Sequence, residues 1–361
     1  MQRPIPCLFM RGGTSHGPFF RASDLPADVA TRDRVLLAVM GSPDARQIDG
    51  IGGADPLTSK VGIVCAGTDG VDLEFLFAQV SLKEPRVDTT PNCGNMLAAV
   101  VPFALETGIV QARGDVTTLR VLTRNTGTLS DIEVQTPGGR VEYAGSARID
   151  GVPGTAAPVN IAFLDTAGSV CGALFPTGNL VDVFDGVDVT CIDNGMPVVV
   201  MRAADLGVTG YESRDELNGN AALKRRIESI RLQAGPAMKL GDVTQKVVPK
   251  MCLASAPKET GHLNTRFFIP HDCHSAVGVL GAVTAATAAV TPGTVANRVA
   301  RVPDGARKAF SVQHPTGEFT VVLEMDAARP NEVARASLLR TARLMMRGEV
   351  LIPGDIWKSH S

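Results

Sequence analysis

The feature that most restricts what this chain can fold into is an internal repeat: three local patterns of the first half return in the second half, in the same order. The first is a glycine turn, a short apolar strand and a helix start. It reads Gly17 then Pro18 to Leu25 in one half, and Gly195 then Pro197 to Leu206 in the other. Each copy leads into a helical stretch, around Arg32 to Met40 and around Leu223 to Leu232. The second pattern is a lysine in an apolar, strand-like run, Lys60 before Val61 to Cys65 and Lys250 before Met251 to Leu253. The third is a polar turn with a cysteine that opens a long aliphatic helix. Cys93 precedes Met96 to Glu106, and Cys273 precedes Ala276 to Ala289. Two α/β units of one design follow from this order. Opposed starts of their central helices, with unpaired N–H groups and the positive end of the dipole, would hold a di- or tricarboxylate.

A chain of 361 residues supports two domains. The Pro and Gly turn signals of Leu174 to Asn179 put the boundary near residue 175, giving domains 1–175 and 176–361, with a C-terminal strand that can return to the first. Strands such as Val71 to Leu82 and Leu119 to Thr123 alternate in the antiparallel manner, so the expected class is α/β (α+β) with mostly antiparallel sheets. Hydrophobic residues make up 44% and charged residues 20%, the balance of a globular protein. A net charge of -2 gives no electrostatic drive toward nucleic acid or an anionic membrane. No stretch reaches the roughly 18 apolar residues of a spanning helix, and the N-terminus lacks a secretory h-region, so a cytoplasmic location is expected. Seven cysteines without paired spacing read as reduced thiols. No nucleotide-binding glycine fingerprint follows a strand, so no nucleotide cofactor is expected.

Asn92-Cys93-Gly94-Asn95 is the strongest local candidate for chemistry. A thiol at a helix start has a stabilised thiolate, Gly94 lets the backbone approach a carboxylate, and Asn92 and Asn95 add amide donors. A buried structural cysteine in a helix cap is the plainer alternative. Lys60 follows a glycine-rich loop and the hydroxyls of Thr58 and Ser59; facing a cleft, desolvation would lower its pKa toward that of a working base, whereas on an open strand face it is only a solvated charge. Thr14, Ser15 and His16 in the Arg11 to Gly17 turn suit a carboxylate cradle or a simple hairpin. Arg266 can take a carboxylate in bidentate fashion or form an ion pair. His271 and His274 lack the ligand spacing of a zinc site, so no metal is expected.

Met10 to Phe20 (MRGGTSHGPFF), Asp33 to Val61, Pro91 to Glu106 (PNCGNMLAAVVPFALE), Val189 to Val200, Arg231 to Val243, Val248 to Cys252 and Asn264 to Val283 together resemble the methylaconitate isomerase (PrpF) family. The match spans nearly the whole chain and is nearest in pattern to the branch acting on 4-oxalomesaconate in gallate breakdown. The resemblance implies a diaminopimelate-epimerase-like fold of two pseudo-symmetric domains, each a sheet wrapped round a central helix. It implies proton transfer on a small unsaturated tricarboxylate without metal or cofactor, with Lys60 and Cys93 as the catalytic pair. Arg266 and Ser275, with His274 beside it, would bind carboxylates. Where the family motif usually reads R-G-G-T-S-K-G, this chain has His16, which replaces a fixed charge by a titratable one.

Two other activities stay open at this level. One is isomerisation of 2-methylaconitate; the other is a catalytically silent carboxylate-binding protein. The part taken by Cys273 and assembly into a homodimer are also left open, and amino-acid racemisation is disfavoured because no second cysteine aligns securely with Cys93.

Overall fold

The computed structural model describes residues 2–259 and 261–357. They form two compact units, one running to Leu164 and resuming at Leu339, the other covering Asp165–Leu338. The expected linker, Leu174 to Asn179, is folded inside the second unit, where Leu174 O accepts from Asp193 N at 2.8 Å. Its Pro and Gly residues mark a turn and not a domain edge.

The first unit contains β1 (Gln2–Gly12), β2 (Ser15–Arg21), α1 (Val29–Met40), β3 (Lys60–Ala66), β4 (Leu73–Val80), β5 (Val87–Asp88), α2 (Gly94–Leu97), α3 (Val100–Glu106), β6 (Val116–Thr123), β7 (Thr128–Gln135) and β8 (Val159–Phe163). The second contains β9 (Asp182–Phe184), β10 (Val187–Asp193), β11 (Pro197–Arg202), α4 (Arg214–Gly219), α5 (Ala221–Ala237), β12 (Lys250–Ser255), β13 (Leu263–Phe268), α6 (Val279–Val290), β14 (Arg307–His314) and β15 (Gly317–Met325). β16 (Val333–Arg340) pairs with β15, and β17 (Ala342–Pro353) then pairs with β1.

The repeat reaches further than its three sequence patterns. In the first unit the strands lie in the order β17-β1-β2-β3-β4-β6-β7-β8, and in the second β9-β10-β11-β12-β13-β14-β15-β16. Each pairing has the same sense in both. Parallel contacts occur only where a helical crossover intervenes: β2 to β3 and β11 to β12, then β4 to β6 and β13 to β14. Every other neighbour in the two orders given is antiparallel. The place of β9 is filled in the first unit by β17, from the far end of the chain.

Each sheet packs helices on both faces. In the first unit Val35, Leu36, Val39 and Met40 of α1 bury against Ile5, Cys7, Phe20, Val61 and Ile63. Strand alternation then sends Phe19 and Gly62 to the other face, where the Phe19 and Phe103 rings lie 5.7 Å apart. Asp28 caps α1 by accepting from Thr31 N at 2.8 Å, and Gly41 ends it at φ 74°. In the second unit α6 is buried from Gly281 to Val290, its alanines allowing a close approach to β11, β14 and β15.

The central helices differ from the sequence expectation in two places. The stretch Met96 to Glu106 is broken into α2 and α3, because Pro102 has no N–H to bond the carbonyl one turn earlier and its ring crowds that carbonyl. The second helix starts at Val279 and not at Ala276, with Gly278 in extended backbone as its N-cap. Residues before it are held otherwise: His274 N donates to Phe267 O at 2.7 Å and Cys273 N to Asn218 Oδ1 at 2.6 Å. Their N–H groups are committed to a turn against β13. No helix among the described residues is long and apolar enough to cross a membrane.

Candidate active site

Lys60 is the first residue of β3 and shares a sheet face with Gly62, toward the central helix and away from α1. It is 8% exposed. Its Nζ donates to Ser15 Oγ at 3.1 Å and to Cys93 Sγ at 3.5 Å, and it stands 5.8 Å from the centre of the Phe77 ring. Ser15 is fully buried at the start of β2, and Cys93, 8% exposed, is the N-cap of α2 with its carbonyl accepting from Leu97 N at 3.0 Å. Two proton-carrying groups and a hydroxyl therefore meet in a closed corner of one unit. The hydroxyls of Thr58 and Ser59 do not join them. Thr58 Oγ1 donates to Asp55 O, and Ser59 Oγ donates to Val80 O while accepting from Gln47 Nε2.

The glycine turn lets this corner close. A Cβ on Gly12 would lie 2.2 Å from Asn95 O, and one on Gly13 2.2 Å from Asn95 Oδ1, with Gly13 also at φ 51°. No other residue lets the turn sit this close to the Cys93-Gly94-Asn95 backbone. Arg11 ties the turn down through Nη1 to Gly13 O at 2.8 Å and to Thr341 O at 3.1 Å. Asn95 Nδ2 donates to Thr14 Oγ1 at 3.0 Å, and Asn95 Oδ1 accepts from Arg340 Nε at 3.1 Å. Thr14, Ser15, Lys60, Cys93, Gly94 and Asn95 are thus brought together, whereas Asn92 is exposed beside them.

His16 is not. Successive residues of a strand point to opposite faces, so with Ser15 facing Lys60, His16 faces the α1 side. Its ring is 5.3 Å from that of Phe9, and it stands against the Gly53 loop. Burial lowers its pKa from the ordinary 6.5, which keeps it neutral at pH 7. The expectation that His16 joins Thr14 and Ser15 in one cradle is corrected by this alternation, which puts its ring on the other face of the sheet from Ser15.

Sequence reasoning missed Arg340, the last residue of β16 and only 6% exposed. Burial lowers its pKa to about 10, opposed by attraction to Cys93. The local signal was slight: Arg340 follows Leu338 and Leu339, but Arg335 and Arg343 stand close by and nothing local marks it out.

Arg266, His274 and Ser275 belong to the second unit. Arg266 in β13 is 7% exposed, its Nε donating to Glu212 O at 3.0 Å and its Nη1 to Asn264 Oδ1 at 3.0 Å. Burial lowers its pKa, while Cys273 and Glu212 oppose the shift. Arg266 and Ser275 line a cavity of about 670 Å³ together with Tyr211, Arg214 and Lys258. The exposed His274 ring turns back on its own loop, with Nδ1 3.0 Å from Ala276 O and 3.3 Å from Ala276 N. It stands before Gly278, so it is not a helix start. His271 Nδ1 lies 3.4 Å from a Glu228 carboxylate oxygen, and Asp272 forms an ion pair with Lys224 at 2.7 Å.

A PrpF protein family model matches residues 2–353. The chain belongs to this family. Among PrpF relatives, the (4E)-oxalomesaconate Δ-isomerase of Novosphingobium sp. (strain KA1) is 58% identical over 348 residues, covering 96% of this chain and 97% of its own. The 4-oxalomesaconate tautomerase of Pseudomonas putida is 57% identical over 357 residues, covering 99% and 98%. The crystal structure of a methylitaconate Δ-isomerase superposes with a TM-score of 0.87 at 35% identity, covering 100% of this chain and 98% of that one. The mixed α/β fold expected of the PrpF family is the one described above.

Proposed function

We propose that this chain is an isomerase that moves a proton on oxalomesaconate, with Lys60 and Cys93 as the groups that carry it. The observation that supports this most is the Lys60 Nζ to Cys93 Sγ separation of 3.5 Å, with each residue only 8% exposed. Each group must come within hydrogen-bond reach of the substrate atom it serves, and neighbouring side chains can serve neighbouring atoms of one small molecule. The names of the two relatives above 55% identity support the substrate.

In keto 4-oxalomesaconate the methylene lies between the ketone and the double bond, so both acidify its protons. Lys60, as the amine, takes one methylene proton, and the electron pair left behind spreads as a dienolate. Return of a proton from Cys93 to oxygen gives the enol; return to carbon gives the allylic isomer. Atoms and charge balance with one proton removed and one restored. No electrons leave the substrate, so the step needs no cofactor. Donors at Thr14, Ser15 and Asn95 suit the developing oxyanion. A carboxylate-holding role for Arg266 and Ser275 is supported by the cavity they line. Aromatic-acid breakdown in a reducing, cytoplasmic compartment suits seven free thiols.

The test is incubation with 4-oxalomesaconate, and separately with 2-methylaconitate, in deuterated water, followed by NMR. Deuterium entry and product from the first at a rate at least tenfold above the second is expected. Binding of either without exchange would make the chain a silent carboxylate-binding protein and overturn the proposal.

A further inference from the structure

Arg340 stands where the chain passes from β16, paired in the second unit, to β17, paired in the first. Its Nε donates to Asn95 Oδ1 at 3.1 Å, and its Nη1 to the neighbouring Leu339 O at 2.8 Å. Its Cδ lies over Gly13, 3.2 Å from where a Cβ on that residue would be. Its charge attracts Cys93. Burying a guanidinium is expensive unless it is well bonded and set against an anion, and functional sites are where proteins accept that cost.

The Asn95 amide makes a directional choice that Arg340 fixes. With Oδ1 turned to a donor-only guanidinium, Nδ2 must face Thr14 Oγ1, 3.0 Å away. A flipped amide would set NH2 against guanidinium and lose both bonds. Arg340 thereby locks the turn that carries Cys93 to the glycine turn that carries Ser15, and it brings a fixed positive charge that attracts Cys93.

We propose that Arg340 is the positioning residue of the proton-transfer site, orienting Asn95 and the Cys93 turn and balancing negative charge that develops at Cys93. This deepens the reading of Lys60 and Cys93 as the proton carriers and rests on it. Arg340 is a hydrogen-bonding fork as well as a charge, so lysine keeps the charge and loses the directional Nε bond.

The experiment compares Arg340→Met, Arg340→Lys and Asn95→Ala by steady-state kinetics and deuterium exchange into 4-oxalomesaconate, with thermal unfolding recorded for each. Arg340→Met is expected to lower kcat about 100-fold, Arg340→Lys to recover about tenfold of that, and Asn95→Ala to lower kcat about tenfold, KM changing less than threefold in each. In a Cys93→Ser background, Arg340→Met is expected to cost less than about threefold, because residues that act as a unit are not additive. The proposal is overturned if Arg340→Met keeps kcat within about threefold of the parent, or if the loss is undiminished in the Cys93→Ser background. If Arg340→Met does not fold, Arg340→Lys and Asn95→Ala decide alone: kcat unchanged in both overturns it. Full activity of Cys93→Ser by itself would instead remove the Lys60 and Cys93 reading, a separate result.

Discussion

The two units share strand order, pairing sense and helix placement, yet the same three stations end in different chemistry. In the first unit the lysine station delivers a buried Nζ to a cysteine sulfur 3.5 Å away. In the second, Lys250 is half-buried at the start of β12, with desolvation lowering its pKa, and pairs across from Val198. Cys273 is 2% exposed, and burial pushes its thiol up to about 11 against the pull of Arg266 and Arg214. The cation near that sulfur is a guanidinium, which does not give up its proton. One backbone plan therefore sets a lysine against a sulfur in one copy and guanidinium groups near a sulfur in the other.

The largest expected effect breaks the comparison at its lysines. Lys60→Ala should lower kcat about 1000-fold and Lys250→Ala less than about threefold, measured by NMR turnover; equal losses would mean that the units share the chemistry. Next come the sulfurs. Cys93→Ser should cost about 100-fold and Cys273→Ser less than about fivefold. Iodoacetamide mapping by mass spectrometry at pH 8 should label Cys93 before Cys273, since a thiol near 11 is almost wholly protonated there. Reversed labelling would sink the contrast.

A smaller effect is expected at the glycine turn. Gly13→Ala meets both a φ of 51° and Asn95 Oδ1 at 2.2 Å, so it should cost about 1–3 kcal/mol of stability and roughly tenfold in kcat. Calorimetry and kinetics on one preparation would check it. The smallest is at His16, where His16→Gln should change kcat less than about threefold. Its folded pKa lies below the unfolded 6.5, so the unfolded chain takes up the proton first as pH falls. Stability from this site is full above that value and declines as pH drops from 6.5 to the lowered folded pKa. Urea melts at pH 7.5 and 5.5 should show a smaller acid-side loss in His16→Gln than in the parent.

How much of this was legible in the chain varies by residue. The strand starting at Lys60 and the helix of Arg32 to Met40 were legible because periodicity and capping are local. The burial of Lys60 was not, since it depends on Ser15 and Cys93 arriving from 45 and 33 positions away. His16 was misplaced although the rule that corrects it is elementary: Ser15 and its neighbour cannot face the same way in a strand. Pro102 should have broken the predicted helix, and only the fold showed that the break falls at Ala98 and Ala99. Arg340 was passed over because the sequence offers no partner nearby, Asn95 being 245 positions away.

By itself the sequence determined the repeat, the helical and strand segments that carry it, and the glycines that permit a tight turn at Gly12 and Gly13. Those follow from local sterics and from hydrophobic periods of two and 3.6 residues. Tertiary structure alone decided that β17 completes the first sheet, that Arg340 meets Asn95, and that one lysine of the repeated pair is buried against a sulfur. Such outcomes depend on contacts between residues from 33 to more than 300 positions apart, where no local pattern records the partner.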